Sequence, residues 1–372
     1  SASGASTSAA RRRAVDTHPC AAAARRLAAE VLAPEAERVD VEGVPASHVR
    51  ALGEAGLLGV YGPAGAGGSE VPAPVARRIT EILSGADGAT WFVWTQHATP
   101  VRALVRSPND DLRRRWLPQL CTGALGGIAV AHLRRTSGPT VSARRHSGGW
   151  RFDGTAAWVT SWGLAEVLLV GGITGDDRAV LALVPAREQP GLEPTGALSL
   201  AAMEATATVR IGFRGLEVDE ADIIDVVDLA AWRQADAEKT ANVTPAVFGL
   251  IDAAVARLED AARRRDEPSG LVLARRLAVE AGEVRAEAYR LLDDVAPGEA
   301  IDERLALRAH ALELGVRSAT ALVTVSGGAG MARSSPAQRL AREALFHLVQ
   351  AQTPLVRRAT LERLGRVAGP GR

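Results

Sequence analysis

Lysine, cysteine and aromatic side chains are scarce in this chain of 372 residues. Lys239 is its one lysine, and 44 basic residues against 43 acidic residues leave a net charge of +1. A chain with so little net charge has no overall field that would attract nucleic acid or an anionic membrane surface. We therefore expect no nucleic-acid partner and no membrane partner.

The two cysteines, Cys20 and Cys121, lie in no C-x-x-C motif, and no histidines stand near them at zinc-binding spacing. We expect two reduced thiols and no metal site. No apolar run reaches the ~18–20 residues that a membrane span requires. The arginines near the start are followed by no apolar stretch, so the pattern predicts no secretory signal and favours a cytoplasmic location.

The chain changes texture twice along its length, which predicts an α+β protein. Hydrophobic residues make up 47% and charged residues 23%, as in globular proteins. Helical spacing of apolar residues gives way to short strand-like runs and then returns in four long segments. The pattern predicts a disordered tail (1–20), an N-terminal helical domain (21–125), a central β-barrel or sandwich (126–228) and a C-terminal four-helix bundle (229–372).

Four stretches, in this order, resemble segments of the acyl-CoA dehydrogenase superfamily. They are LGEAGLLGVYGPAGAGGSE, GGWRFDGTAAWVTSWGLAEVLLVGG, ALSLAAMEATATVRIGFRGLEVDEADII and VSGGAGMARSSPAQRLAREALFHLVQAQTPLVRRATLERL. The resemblance covers roughly residues 22–365. It implies the acyl-CoA dehydrogenase fold, FAD as cofactor, an acyl thioester or other small molecule as substrate, and assembly into a homodimer or homotetramer.

The run AAWVTSW carries the first predicted cofactor contacts. The resemblance implies that Trp158 packs on the flavin ring and that Thr160 makes a hydrogen bond near the reactive centre. A flat apolar cofactor needs an aromatic wall, and its polar edge needs fixed donors. The other interpretation is an ordinary strand with core tryptophans. Trp162 alternates onto the same face as Thr160, as a second wall or as core.

The C-terminal segment carries the remaining predicted cofactor contacts. The resemblance implies that the turn with Gly327, Gly328 and Gly330 approaches the ADP part of FAD bound by a neighbouring subunit. Glycines let backbone N–H groups come close to phosphate, whereas the other interpretation is a plain loop between helices. Thr353 keeps the threonine of the family's Tyr-Glu-Gly-Thr motif, and Arg263–Arg265 are candidates for contact with a pyrophosphate.

The catalytic base of the family is missing from its usual place, because Ala351 stands where the Tyr-Glu-Gly-Thr motif has glutamate. Some members carry the glutamate on the first bundle helix, and Glu238 lies within about one residue of that position. A carboxylate of raised pKa is the group that takes an α-proton at neutral pH. We expect Glu238 to be this base, with a solvated helix charge as the other interpretation.

A histidine marks a second possible chemistry. His97 follows Trp91, Phe92 and Trp94 on the helix before the β segment. Flavin monooxygenases of the same fold lack the glutamate and often place a histidine there, where it can bond a phenolic substrate. A core or surface histidine is the other interpretation.

Three functions follow from these residues. The first is an FAD-dependent oxidoreductase that desaturates an acyl thioester between Cα and Cβ. The second is a group-D flavin monooxygenase, and the third is a flavin-free structural partner in a hetero-oligomer. The loop AHLRRTSGPTVSA keeps only the position of the family's flavin-cradling Thr-Glu-Pro-Gly-Ala-Gly-Ser-Asp loop, which is why the third function stays open. The apolar residues of 300–325 and 335–364 predict the surface through which copies associate.

Overall fold

The computed structural model describes residues 14–138 and 140–366, which fall into two compact units. The first comprises the residues up to Leu83, Ala89–Leu200 and Glu204–Arg233. The second comprises Ser84–Gly88, Ala201–Met203 and the chain from Gln234 onward. The predicted N-terminal helices and the predicted β segment thus lie largely in the first unit, and the predicted bundle lies largely in the second.

The N-terminal helices begin earlier than the sequence predicts. Helix α1 (Pro19–Leu27) starts inside the predicted tail, whose residues 1–13 lie outside the described part of the chain. A π-helical turn (Ala28–Leu32) joins α1 to α2 (Ala33–Glu42), which has Pro34 in its first turn. Proline lacks an N–H and crowds the carbonyl one turn back, so the wider turn lets the helix pass. The helix therefore continues past Pro34 to Glu42, although a proline usually ends a helix.

Four further helices precede the sheet. They are α3 (Ala46–Glu54), α4 (Ala73–Ala86), α5 (Gly88–Arg106) and α6 (Asp110–Thr122). The run SGADG separates two of them, since α4 ends at Ala86 and α5 begins at Gly88. The segment between α3 and α4 is rich in glycine and proline, and it packs on α6 so closely that a Cβ on Gly62 would overlap the sulfur of Cys121. This contact buries the thiol of Cys121.

The central segment forms one mixed sheet, which confirms the predicted β region. Its strands are β1 (Gly126–Ala129), β2 (Val141–His146), β3 (Gly149–Val159), β4 (Val167–Ile173), β5 (Arg178–Pro185), β6 (Leu192–Pro194), β7 (Val209–Asp219) and β8 (Ile223–Asp228). Their order is β6-β7-β3-β2-β4-β5-β8, with β1 beside β4. β1 and β2 run parallel to β4, and the other neighbours are antiparallel.

Strand β4 is buried on both faces. Leu168 packs into the core on one face of the sheet together with Phe152. Its neighbour Leu169 packs on the other face with Leu104 of α5 and Leu120 of α6. Burial of each such side chain contributes about 1.5–3 kcal/mol to stability. Strands buried on both faces are expected to be continuous apolar runs, which is what the segment VLLVGGI shows.

The C-terminal region contains six helices as far as residue 366, where the described residues end, and the spacing predicts four segments. They are α7 (Leu229–Ala241), α8 (Pro245–Arg264), α9 (Pro268–Asp294), α10 (Ile301–Ser326), α11 (Pro336–Val349) and α12 (Pro354–Leu364). Two predicted segments are divided because Pro245 and Pro354 each begin a new helix, a position that suits a residue without an N–H. Helices α8 to α11 enclose an apolar core that includes Phe248, Leu277 and Leu340.

The apolar residues of α10 face the bundle to which they belong. Leu305, Leu312 and Ala319 are buried within the single chain, and Val316 and Val323 pack against the bundle core. The prediction that these five residues form a surface between copies is therefore wrong in its choice of residues. The helical spacing of these residues predicts that they are buried, but it does not predict whether they pack against the same chain or against another copy.

One segment among the described residues, Leu229–Arg264, is long and apolar enough by composition to span a membrane, with a mean hydropathy of 1.2. In the fold, 61% of its most apolar window is buried. Core helices of bundles pass the same composition test, because they are apolar on most of their circumference.

Candidate functional site

Trp158 stands at the end of β3 in a backbone conformation that only glycine adopts easily. Its φ is +63°, and the pairing of β3 with β7 shifts register between Ala156 and Val159. Trp158 is 51% exposed, whereas Val159 beside it is fully buried. Strained backbone that exposes a large aromatic ring costs free energy and is characteristic of functional sites. Trp158 is thus an exposed aromatic ring at the end of a buried strand, and its contact with flavin stays a prediction.

Trp162 does not form part of this platform. Its side chain is partly buried and packs against the core of the sheet. Its backbone N–H donates to the carbonyl of Ala207 at 3.3 Å. Of the two interpretations for Trp162, the structure supports core.

The hydroxyl of Thr160 is directed into the fold. Thr160 is 2% exposed, and its Oγ1 lies 3.2 Å from Oγ1 of Thr208, which in turn lies 3.1 Å from Oγ1 of Thr206. The positive φ of Trp158 interrupts the strand alternation, so Thr160 is not presented on the face of Trp158. The prediction that Thr160 bonds flavin through its side chain is corrected in this respect, because the hydroxyl belongs to a buried threonine cluster.

A short 3₁₀ turn (Ala131–Arg134) follows β1 and packs against β3. The sequence resemblance predicts the family's flavin-cradling loop at this place. Arg233 of α7 makes two hydrogen bonds to the backbone of this segment. Its Nε donates to the carbonyl of Leu133 at 2.7 Å, and one of its Nη atoms donates to the carbonyl of Arg135 at 2.6 Å. Leu133 is seated on Gly171 of β4, where a Cβ would lie 2.7 Å from the leucine Cδ1. The turn is therefore held at both its backbone and its side chains.

His132 and Arg233 are residues of this region that the sequence reasoning missed. The Nε2 of His132 lies 2.8 Å from the carbonyl oxygen of Gly171, so Nε2 carries the proton. Burial lowers the pKa of His132 from 6.5 to about 4, which keeps the ring neutral. His132 lies in the segment that aligns with the family's flavin-cradling loop. Because that segment does not keep the family's motif, the sequence offers no reason to single out His132.

His97 has a structural role that replaces the predicted catalytic one. Its Nδ1 accepts a hydrogen bond from the N–H of Gly126 at 2.9 Å, and its Nε2 lies 3.0 Å from the carbonyl of Leu58. The ring is fully buried, and burial lowers its pKa from 6.5 to about 4. Because the backbone uses both nitrogens, neither is left for a substrate or a flavin. The prediction of His97 as a site residue is corrected on this ground.

In the second unit, Glu238 lies on α7 with a partly buried side chain. Its Oε1 accepts a hydrogen bond from Nε2 of Gln234 at 2.8 Å. Gly298, in the loop before α10, passes close enough that a Cβ there would lie 3.1 Å from Oε1. The carboxylate is thus oriented by its surroundings, which is what a base requires. Its assignment as the base stays a prediction.

The predicted glycine turn forms at the end of α10. Residues Gly327–Met331 make a 3₁₀ turn, in which Gly327 has φ +63° and Gly330 is buried against Val323. A Cβ on Gly328 would meet no atom within 4 Å, so the backbone here is approachable. Arg265 donates to the carbonyl of Ser326 at 2.8 Å and places its guanidinium beside the turn. Exposed backbone and a fixed cation are what an anionic phosphate group needs.

Thr353 caps a helix. Its Oγ1 accepts a hydrogen bond from the N–H of Val356 at 3.3 Å, at the first turn of α12. A capping hydroxyl satisfies one of the free N–H groups of a helix start, which contributes about 1 kcal/mol. The threonine of QAQT thus has a structural function, and its contact with a cofactor stays a prediction.

One group of three potential metal ligands occurs among the described residues. Ligand atoms of Glu280, His310 and Glu313 lie within 4.8 Å of one another. Arg317 pairs with both carboxylates, and Arg363 pairs with Glu313 at 3.1 Å. The group thus forms part of an ion network that joins α9, α10 and α12.

The structure fits FAD at two of the predicted places. Trp158 offers an exposed aromatic face, and the turn at Gly327–Gly328 with Arg265 offers exposed backbone and a cation for a pyrophosphate. Trp158 would hold the flavin ring, and the turn is predicted to approach the phosphate part of FAD bound by a neighbouring subunit. Thr160 does not add its hydroxyl to this fit, because the hydroxyl lies in the buried threonine cluster.

Residues 16–124 match the acyl-CoA dehydrogenase N-terminal domain family. The chain is 25% identical to mitochondrial isovaleryl-CoA dehydrogenase of Pongo abelii over 208 residues, which are 52% of this chain and 49% of that relative. The chain thus spans about half the length of the curated relatives that it matches.

Two solved structures show the similarity of fold over nearly the whole chain. Glutaryl-CoA dehydrogenase of Mycobacterium smegmatis in complex with FADH2 has a TM-score of 0.76 at 19% identity and 94% coverage of each chain. Dibenzothiophene monooxygenase (TdsC) of Paenibacillus sp. A11-2 has a TM-score of 0.76 at 19% identity, covering 95% of this chain and 99% of the other. Residues 16–124 thus match the acyl-CoA dehydrogenase N-terminal domain, and the solved structures show that the chain shares the fold of these enzymes over more than nine-tenths of its length.

Proposed function

We propose that the chain is an FAD-binding oxidoreductase that desaturates an acyl thioester between Cα and Cβ. The observation that carries the proposal is Trp158, a half-exposed indole on a strained backbone at the end of a buried strand. The glycine turn beside Arg265 supports the same cofactor. The relatives that the chain matches are dehydrogenases of acyl-CoA thioesters, and one similar structure contains FADH2.

The protein's part in this reaction is to orient the thioester and remove the α-proton. When bound, FAD supplies the two-electron acceptor that desaturation requires. Glu238 would take the proton from Cα, with its carboxylate directed by the amide of Gln234. Ala351 has no carboxylate, so a dehydrogenase needs its base elsewhere, and Glu238 on α7 is the residue that we propose.

Reduction by substrate tests this assignment. Purified chain loaded with FAD is mixed anaerobically with short acyl-CoA thioesters, and the loss of the oxidised flavin absorbance is followed by stopped flow. We expect reduction by at least one thioester, slowed about 10²-fold or more in Glu238→Gln, because the amide keeps the shape but cannot accept a proton. Asp236→Asn, on the same helix, is the matched control and should reduce at nearly the unmodified rate.

The two other functions are outcomes of the same experiment. Flavin that binds only when supplied reduced, and is not reduced by any thioester, would support the monooxygenase. Absence of binding in either redox state would support the flavin-free structural partner. Equal reduction rates in Glu238→Gln and the unmodified chain would remove Glu238 as the base while keeping the dehydrogenase.

A further inference from the structure

Arg304 is a buried arginine whose guanidinium lies at the end of a helix. It is 3% exposed and makes five hydrogen bonds within the described part of the chain. One Nη atom donates to the carbonyls of Leu291 at 2.9 Å, Val295 at 3.0 Å and Ala296 at 3.3 Å, and Nε donates to that of Glu299 at 2.8 Å. The last carbonyls of a helix lack partners within the helix and carry negative partial charge, so they attract a cation. Arg304 therefore fixes the end of α9 and the loop that leads from it to α10.

The fifth hydrogen bond joins Arg304 to the helix that carries the proposed base. The other Nη atom donates to Oδ1 of Asn242 at 2.5 Å. Asn242 is the first residue after α7, and its Nδ2 donates in turn to the backbone carbonyl of Glu238 at 3.1 Å. The amide of Asn242 thus caps α7 with its nitrogen and is held by the buried cation through its oxygen. Hydrogen bonds to a charged group are about twice as strong as those between neutral groups, which makes this link a firm one.

The loop that Arg304 fixes also lies against the carboxylate of Glu238. Gly298 belongs to this loop, and a Cβ on it would lie 3.1 Å from Oε1 of Glu238 and 3.7 Å from Oε2. The φ of Gly298 is +85°, which other residues rarely adopt, so the loop needs glycine at its point of closest approach. Arg304 thus holds Asn242, which bonds to the backbone of Glu238, and also the loop that confines the carboxylate.

We propose that Arg304 is the positioning residue of the base, which sets where the carboxylate of Glu238 stands. The inference rests on the proposed function, because it concerns the same proton transfer. A displacement of about 1 Å at a reacting group can slow a reaction 10²-fold, so the place of the base governs the limiting rate. Because Arg304 is buried, its contribution should appear in the rate of proton removal and not in the affinity for the thioester. Arg304, Asn242, Gly298 and Glu238 all belong to the second unit.

Two variants weaken this support from opposite ends. Arg304→Lys keeps the positive charge but presents a single nitrogen, which cannot bond to Asn242 and to the end of α9 together. Asn242→Ala leaves Arg304 and its loop in place and removes only the link to the carbonyl of Glu238. Asn242 is only partly buried, so its variant should fold whatever the stability of Arg304→Lys. Arg339→Lys is the matched control, since Arg339 is 1% exposed and bonds to Glu343 of its own helix at 2.7 Å.

Each full-length variant is loaded with FAD and reduced anaerobically by a range of concentrations of the thioester that reduces the unmodified chain. We expect the limiting rate of flavin reduction to fall about tenfold or more in Arg304→Lys and in Asn242→Ala. The thioester concentration that gives half of this rate should stay within about threefold of its unmodified value. Arg339→Lys should lower the urea midpoint but keep the limiting rate within about threefold. Unchanged rates in both folded variants, or an equal loss of rate in Arg339→Lys, would overturn the inference.

Combination with Glu238→Gln separates positioning from a general loosening of the bundle. If Arg304 acts through Glu238, Arg304→Lys should slow reduction little further once the carboxylate is absent, while it should still lower the urea midpoint. The same holds for Asn242→Ala. Equal slowing with and without the carboxylate would show a merely structural role and contradict the inference.

The inference and the proposed function fail differently. If Glu238→Gln slows reduction but Arg304→Lys and Asn242→Ala do not, the inference is wrong and the proposed function stands. If Glu238→Gln is reduced at the unmodified rate, Glu238 is not the base and the inference is wrong with that assignment. If no thioester reduces the unmodified chain, both the proposed function and the inference are wrong.

Discussion

The imidazole of His97 accepts a hydrogen bond at Nδ1 from the backbone N–H of Gly126, 2.9 Å away. This bond joins α5 to the first residue of β1. A second hydrogen bond, from Nε2 of His97 to the carbonyl of Leu58, joins α5 to the loop after α3. One buried side chain therefore connects three segments that are distant in sequence. The sequence predicts His97 as a site residue from its aromatic neighbours, and the structure gives it a stabilising function instead.

Replacing this connection should cost stability rather than chemistry. His97→Gln keeps a donor for Leu58 but leaves the N–H of Gly126 buried without an acceptor, which costs about 1–3 kcal/mol. Urea unfolding measures the loss, and the flavin spectrum of the folded variant should match that of the unmodified chain. If the variant keeps normal stability but shows an altered flavin spectrum or slower flavin reduction by substrate, His97 is a site residue after all.

The buried histidines predict that stability falls in mild acid. Burial lowers the pKa of His97 and of His132 from 6.5 to about 4, and that of His347 from 6.5 to about 3. Between pH 6.5 and 4 the unfolded chain takes up protons that the folded chain does not, so the free energy of unfolding decreases as pH falls. Each histidine contributes on the order of 3 kcal/mol over this window.

The measurement is urea unfolding at pH 7 and at pH 4.5. His97→Gln should show a smaller decrease than the unmodified chain, because one titrating ring is absent. This comparison also separates the histidine effect from that of carboxylates, which are present in both proteins. Equal decreases in the two proteins would show that His97 titrates normally in the fold.

Association of copies stays a prediction, and the structure suggests other residues for it. Val272 and Val279 lie seven residues apart on α9 and are 49% and 62% exposed. Leu361 and Leu364 of α12 are 63% and 51% exposed. Apolar residues at helical spacing on a surface are typical of interfaces between subunits. We expect a dimer or tetramer by light scattering at micromolar concentration.

Two matched valines test this expectation. Val279→Asp should shift the population to a smaller species, because a charge at a subunit interface cannot be desolvated cheaply. Val41→Asp makes the same change at a valine that is 56% exposed on α2 and should leave the size unchanged. A monomer in the unmodified chain would contradict the prediction.

Local patterns predicted the order of elements well, and they failed where a residue's partner lies far away in sequence. The start of the sheet at Gly126 and the break before Gly88 follow from turn residues and a change of period. The inward direction of Thr160 depends on a positive φ at Trp158, which no local rule assigns to tryptophan. The tautomer of His132 depends on the carbonyl of Gly171, 39 residues away.

The central claim is that Trp158 forms the wall of an FAD site, and the most direct measurement is FAD titration of Trp158→Ala beside Trp162→Ala. Trp162→Ala should keep the affinity for FAD but lose about 2–3 kcal/mol of stability, because its ring packs on the sheet core. Trp158→Ala should remain folded and lose about 2 kcal/mol of binding free energy, which is about thirtyfold in affinity. A folded Trp158→Ala that binds FAD as tightly as the unmodified chain would contradict the account.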